Sequence, residues 1–150
     1  MDYKILEKQV RGMIEEETWY VPALSNIAAL LMEQLHTINW AGFYLMREGK
    51  LILGPFQGKV ACIHIEVGKG VCGTAVEKDQ VQLVADVHQF PGHIACDSAS
   101  NSEIVIPIHS NGTIVGVLDI DSPIKERFTK EDEEGLVRIV RVIEEMVVFL

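Results

Sequence analysis

The chain has 150 residues, 48% of them hydrophobic, which is enough for one sizeable core and gives no reason to divide residues 1–150 into two domains. Twenty-two acidic residues against thirteen basic ones leave a formal net charge of −9. That balance repels phosphate backbones and anionic lipid, so neither nucleic acid nor a membrane surface is an expected partner.

In chain order, Ile5, Leu6, Gln9, Val10, Met13 and Ile14 recur at near-helical spacing and predict a first amphipathic helix, which breaks at Trp19-Tyr20-Val21-Pro22. Pro22, followed by Leu24, Ile27, Ala28, Leu31 and Leu35, predicts a second helix with proline in its first turn and an end near His36. From Ile38 the period changes to two, with Trp40, Gly42 and Tyr44 on one face and Ala41, Phe43 and Leu45 on the other. Arg47-Glu48-Gly49-Lys50 then turns this strand into Leu51-Ile52-Leu53. A short strand over 61–66, a short helix over 70–77 and a strand over 81–85 follow.

Residues 86–102 carry no periodicity but do carry His88, Pro91, Gly92, His93, Cys96 and Asp97, and a long irregular stretch inside a small domain is often functional. Two apolar runs, 103–109 and 113–121, flank Ser110-Asn111-Gly112, and Asn-Gly supplies the positive φ values that a tight hairpin needs. Thr129 with Asp132 has the spacing of a capping box and opens a last helix with Leu136, Ile139, Val140, Ile143 and Val147 on one stripe. Arg138, Arg141, Glu144 and Glu145 interrupt its apolar face, so it is a packed helix rather than a membrane span. The order is that of an α+β fold, a central antiparallel sheet flanked by helices.

Three cysteines, Cys62, Cys72 and Cys96, form an odd, clustered set, which points to redox chemistry rather than to a structural disulfide framework. The N-terminus Met1-Asp2-Tyr3-Lys4 lacks the apolar core and cleavage site of an export signal, and cytoplasmic residence is expected. Cys72 stands in Gly68-Lys69-Gly70-Val71-Cys72-Gly73, a glycine-rich segment without the Lys-Ser or Lys-Thr ending of a phosphate loop.

That segment, together with the ending over 114–122 and Phe128-Thr129-Lys130-Glu131-Asp132, resembles a GAF domain. Within that superfamily Trp40-Ala41-Gly42-Phe43-Tyr44, Gly54-Pro55-Phe56-Gln57-Gly58 and the cysteine spacing resemble the free methionine-(R)-sulfoxide reductase family from the second helix onward. The resemblance implies reduction of the free amino acid rather than of a residue in a protein. It implies Cys96 as the catalytic cysteine, Cys72 and Cys62 as thiols that resolve the oxidised intermediate, and Trp40 and Tyr44 as pocket aromatics. It further implies Glu103, Asp119 and Asp121 as pocket carboxylates and an external dithiol reductant of the thioredoxin type. No resident cofactor or metal is expected, and a homodimer is an open alternative.

The residues suit that chemistry. Thiolate attack on a sulfoxide sulfur releases the oxygen only if the oxygen gains protons, so the site needs a reactive thiol and an acid. Asp119 and Asp121 alternate onto one strand face, Glu103 begins the partner strand, and clustered carboxyls cannot all ionise cheaply. One can donate a proton while others hold an ammonium, and Trp40 and Tyr44 can wall a methyl group. A second thiol condenses with the sulfenic acid to a disulfide. Cys72 with Cys96 is favoured over Cys62 with Cys96, because Cys72 follows two glycines whereas Cys62 begins a predicted strand.

Blander readings compete. Aromatics and free cysteines are common in cores, strand-end acids are common on solvated rims, and Cys62, His64, His93 and Cys96 do not have the spacing of a common structural zinc site. A non-catalytic ligand-binding GAF sensor is the main alternative function. A cysteine-linked tetrapyrrole carrier would leave two of the three thiols unexplained.

Overall fold

The computed structural model describes residues 1–92 and 99–150. Six antiparallel strands form one sheet in the order β3-β2-β1-β6-β5-β4: β1 (Trp40–Arg47), β2 (Lys50–Gly58), β3 (His64–Ile65), β4 (Gln82–Val84), β5 (Ser102–Ser110) and β6 (Thr113–Ser122). Helices α1 (Tyr3–Glu16), α2 (Tyr20–Gln34) and α4 (Lys130–Met146) cover one face, and α3 (Gly70–Lys78) packs on the other. Among the described residues no helix is long and apolar enough to cross a membrane.

Local chemistry sets the helix ends. The Asp2 side chain accepts hydrogen bonds from the amides of Lys4 and Ile5 at 3.0 and 3.2 Å, which caps α1. The Thr129–Asp132 capping box is present in both directions, and it opens α4 as expected. Asp132 also accepts from the Tyr3 hydroxyl at 2.6 Å, tying the start of α1 to the start of α4. Both hairpin turns take the left-handed residues they need, Glu48 and Gly49 at φ 52° and 81°, and Asn111 and Gly112 at 53° and 76°.

The pleat of the sheet divides the side chains between two cores. Ala41 and Phe43 of β1, Ile104, Ile106 and Ile108 of β5, and Leu118 and Ile120 of β6 face α1, α2 and α4. The alternate residues Trp40, Tyr44, Val105 and Val117 face α3, with Leu51, Ile65 and Val71 beside them. Burying each large side chain contributes about 1.5–3 kcal/mol, so the larger, three-helix side anchors the sheet. The smaller side is free to leave a gap.

Three boundaries depart from the sequence expectation. β2 continues from Leu53 to Gly58 across Gly54-Pro55. Its pairing with β1 shifts register there, Gly42 facing Phe56 and Tyr44 facing Leu53, so proline sits in a bulge where the ladder asks for no amide. The strand expected over 61–66 is only His64–Ile65, and Cys62 lies in the irregular segment before it. α2 (Tyr20–Gln34) carries Pro22 in its first turn, as expected, and ends two residues before His36.

Candidate active site

The register of the central strands builds the site. Trp40 of β1 faces Asp121 of β6, which faces Glu103 of β5; one row along, Gly42 faces Asp119, which faces Val105. These positions share the α3 side of the sheet with Tyr44, so two aromatic and three acidic side chains from three strands, β1, β5 and β6, meet there. They line a small cavity of about 60 Å³ with Val60, Ala61, Ile65, Lys69, Gly70, Val71, Cys72 and Ser100. Trp40, Tyr44, Cys72, Glu103, Asp119 and Asp121, six of the eight residues singled out in the sequence, thus share one cavity.

Trp40 lies stacked between two rings, 5.9 Å from Tyr44 and 5.2 Å from Phe56 between centroids. Gly42 makes this fit: a Cβ there would overlap the Phe56 Cβ and come within 2.9 Å of the Trp40 ring. Phe56, which the sequence reading missed, completes the aromatic wall. Its position depends on the bulge at Gly54-Pro55, where two strand-breaking residues hide the continuation of β2.

Both wall aromatics also use their polar atoms. The Trp40 indole Nε1 donates to the Lys59 carbonyl at 3.1 Å, and the Tyr44 hydroxyl donates to the Cys62 carbonyl at 2.8 Å. Burial, then the charges of Asp119 and its neighbours, push the Tyr44 phenol far above its ordinary range, so it stays a donor. Segment 59–63, which carries Cys62, is therefore moored to the pocket wall.

The acids are buried, Glu103 at 7% and Asp119 at 5% exposure. Burial first, and then the Asp119 and Asp121 carboxylates, raise Glu103 well above the ordinary carboxyl range, and it shares hydrogen bonds with both. Burial also raises Asp119. Its Oδ2 accepts from the Cys72 thiol at 3.4 Å, while its Oδ1 is buried with no hydrogen-bond partner among the described residues. A buried acceptor left open costs about 1–3 kcal/mol, and this one borders the cavity, where a ligand donor can meet it. The donor atoms of Cys72, Glu103 and Asp119 lie within 4.8 Å of one another, close enough in space for one divalent cation, although burial, which raises the pKa of each, works against the charged forms that would bind it.

The cysteines separate clearly. Cys72 is a free, buried thiol on α3, and burial followed by the Asp119 charge pushes its pKa well up. Such a thiol is a poor nucleophile at neutral pH. Cys62 is disulfide-bonded and half-buried. The expected pairing of Cys72 is therefore not the one in this structure: the helix holds Cys72 against Asp119, and the disulfide-bonded Cys62 lies in the irregular segment where a strand was expected. Cys96 and His93 lie outside the described residues. With Cys62 in a disulfide, the zinc set containing it is not formed.

Fold and pocket together define a GAF domain, and that family matches residues 21–145. The free methionine-R-sulfoxide reductase of Escherichia coli (strain K12) is 54% identical over 144 residues, spanning 96% of this chain and 87% of that protein. The solved structure of fRMsr of Staphylococcus aureus in its reduced form is 55% identical with a TM-score of 0.96, covering 99% of this chain and 96% of that one. Its complex with substrate gives 54% and 0.94, covering 99% and 97%. The Neisseria meningitidis free methionine-R-sulfoxide reductase in complex with its substrate is 40% identical with a TM-score of 0.93, covering 96% and 87%. The chain belongs to the GAF domain family and, within it, to the free methionine-R-sulfoxide reductases.

Proposed function

We propose that this protein reduces free L-methionine (R)-sulfoxide to L-methionine. The observation that carries the reading is one small cavity that joins an aromatic wall to a cluster of three carboxyls, two of them buried. Relatives with solved substrate complexes at 54% and 40% identity support it. Trp40 and Tyr44, backed by Phe56, receive the methyl end of the substrate, and the open acceptor of Asp119 with Asp121 receives its ammonium. Gly70 and Val71 at the N-terminus of α3, which has no side-chain cap, suit the carboxylate.

In the first step the Cys96 thiolate attacks the sulfoxide sulfur while Glu103 delivers a proton to the oxygen. Methionine leaves, and the oxygen remains on cysteine as a sulfenic acid. The Cys62 thiol then attacks that sulfur, forming a disulfide and releasing water. An external dithiol of the thioredoxin type restores both thiols and becomes a disulfide itself. The bonded state of Cys62, beside a free Cys72 with a raised pKa, supports Cys62 as the resolving residue.

Turnover with dithiothreitol on the separate epimers tests the reading. Consumption of the free R epimer, with the S epimer and peptide-bound sulfoxide left largely untouched, is expected. Equal use of peptide-bound substrate would sink it.

A further inference from the structure

The proposed cycle needs a protein dithiol to reach a disulfide beside a pocket, and one stretch of surface is built for that approach. Cys62 sits between Val60, which is 90% exposed, and Ile63, which is 58% exposed. Single exposed aliphatic residues are ordinary on any surface. Here they flank the disulfide sulfur on a backbone that is fixed: the carbonyls of Lys59, Cys62 and Ile63 accept hydrogen bonds from the Trp40 indole, the Tyr44 hydroxyl and the Leu53 amide at 3.1, 2.8 and 2.8 Å. The side chains thus point outward because the main chain is tied down on its inner side. Among the described residues β3 pairs with Leu51 and Ile52 alone, so this segment forms the rim of the sheet at its β3 edge.

Charge points to the kind of partner. The chain as a whole carries −9, yet within residues 59–69 the exposed ionisable side chains are Lys59, His64 and Lys69 against Glu66, with the cavity acids Glu103 and Asp119 buried and Asp121 half-buried. An acidic partner is repelled by most of the surface and received here, which favours this orientation in the encounter.

We propose that the rim of Lys59, Val60, Ile63 and His64 around Cys62 is the docking surface for an acidic protein dithiol with a Cys-X-X-Cys site, whose thiolate attacks the Cys62 sulfur. The inference rests on the reading of the cycle given above. A bond forms between the partner's first sulfur and Cys62 Sγ, and the bond from Cys62 to its disulfide partner breaks, that sulfur leaving as a thiolate. The partner's second thiolate then attacks its own first sulfur and releases Cys62 as a thiolate. Both released thiolates take up protons, and the partner departs oxidised by two electrons.

The test uses the full chain, thioredoxin kept reduced by its reductase as the protein dithiol, and dithiothreitol as the small one. Ile63 does not line the cavity, and its side chain is exposed. Ile63→Glu should raise KM for thioredoxin at least tenfold and Ile63→Ser severalfold, with dithiothreitol-supported turnover unchanged. Lys59→Glu should raise KM for thioredoxin and flatten its dependence on salt. An unchanged KM for thioredoxin, or an equal loss with dithiothreitol, overturns the proposal. Trapping with a thioredoxin that lacks its second cysteine gives an independent readout: a mixed disulfide on Cys62 supports the surface, and one on another cysteine refutes it. Wild-type protein inactive even with dithiothreitol would mean instead that the catalytic reading had failed.

Discussion

Replacing Glu103 by glutamine separates chemistry from folding more sharply than any other change in the pocket. The side chain is 7% exposed and shares hydrogen bonds with Asp119 and Asp121, so a glutamine of the same shape keeps an amide donor for both while losing the transferable proton. Loss of a general acid costs about 10²–10⁴ in rate, or about 3–5 kcal/mol at about 1.4 kcal/mol per decade. The folding cost is smaller, because a neutral amide cannot repel its two acidic neighbours; about 1 kcal/mol is the upper limit, worth about 2–4 °C in Tm. Folding has a signed pH dependence as well. A carboxyl with a raised folded pKa gives stability that is complete below its unfolded value of about 4.3 and is lost as pH rises through the folded value. The variant should therefore gain on wild type with rising pH. Single-turnover rates with free methionine sulfoxide and thermal melts from pH 5 to 9 measure both effects. A Tm loss large enough to explain the lost rate, or wild-type rates in the variant, would refute the reasoning.

The other predictions concern the thiols, the wall and one distant ion pair. Cys96→Ser should abolish single-turnover methionine formation, Cys62→Ser should keep one stoichiometric turnover but block recycling, and Cys72→Ser should recycle; a dominant Cys72 to Cys96 peptide after one substrate equivalent would reverse the last two. Gly42→Ala places a methyl group 2.8 Å from the Phe56 Cα, well inside the roughly 3.5–4.0 Å of ordinary carbon contact, and should cost about 1–3 kcal/mol by calorimetry, with KM rising as Trp40 is displaced. His109 binds Asp79 at 2.7 Å and Glu144 at 3.0 Å, and these bonds raise its pKa against a burial effect that lowers it. Its contribution is complete below the unfolded value of about 6.5 and is lost as pH rises through the raised folded value, so His109→Gln should destabilise more at pH 6 than at pH 9, by less than about 1 kcal/mol for so exposed a pair.

Where a local signal is strong, sequence and structure agree. The Asn111-Gly112 turn, the Thr129 cap and the alternation of Trp40 with Tyr44 each depend on residues close in the chain, and alternation alone put Asp119 and Asp121 on one face. That Glu103 stands opposite Asp121 was not legible from the turn, whose register would set Glu103 against Ile120; a bulge between Ile108 and His109 shifts the pairing by one residue. The departures have a different physical origin. Gly54-Pro55 breaks a strand pattern by propensity, but tertiary pairing accommodates it as a bulge, and Phe56 is carried into the wall as a result. Cys62 was misplaced because its segment is held by hydrogen bonds from side chains 18 and 19 positions away, a tie with no local signature. Cys72 looked adaptable beside its glycines, yet Gly73 packs so closely on the Glu66 carbonyl that the start of α3 is fixed in place.

The two moorings of segment 59–63 make Trp40 an optical witness to the redox state of the protein. The chain has two tryptophans, and Trp19 lies 49% exposed beside Tyr20 and Val148, whereas Trp40 is buried and bonded to the segment that carries Cys62. A change at the disulfide that shifts the Lys59 carbonyl would change the environment of the indole through this bond, as would a ligand arriving at the ring. A Trp19→Phe protein would leave Trp40 as its single indole emitter, able to follow substrate capture, oxidation and reduction in real time without an added label.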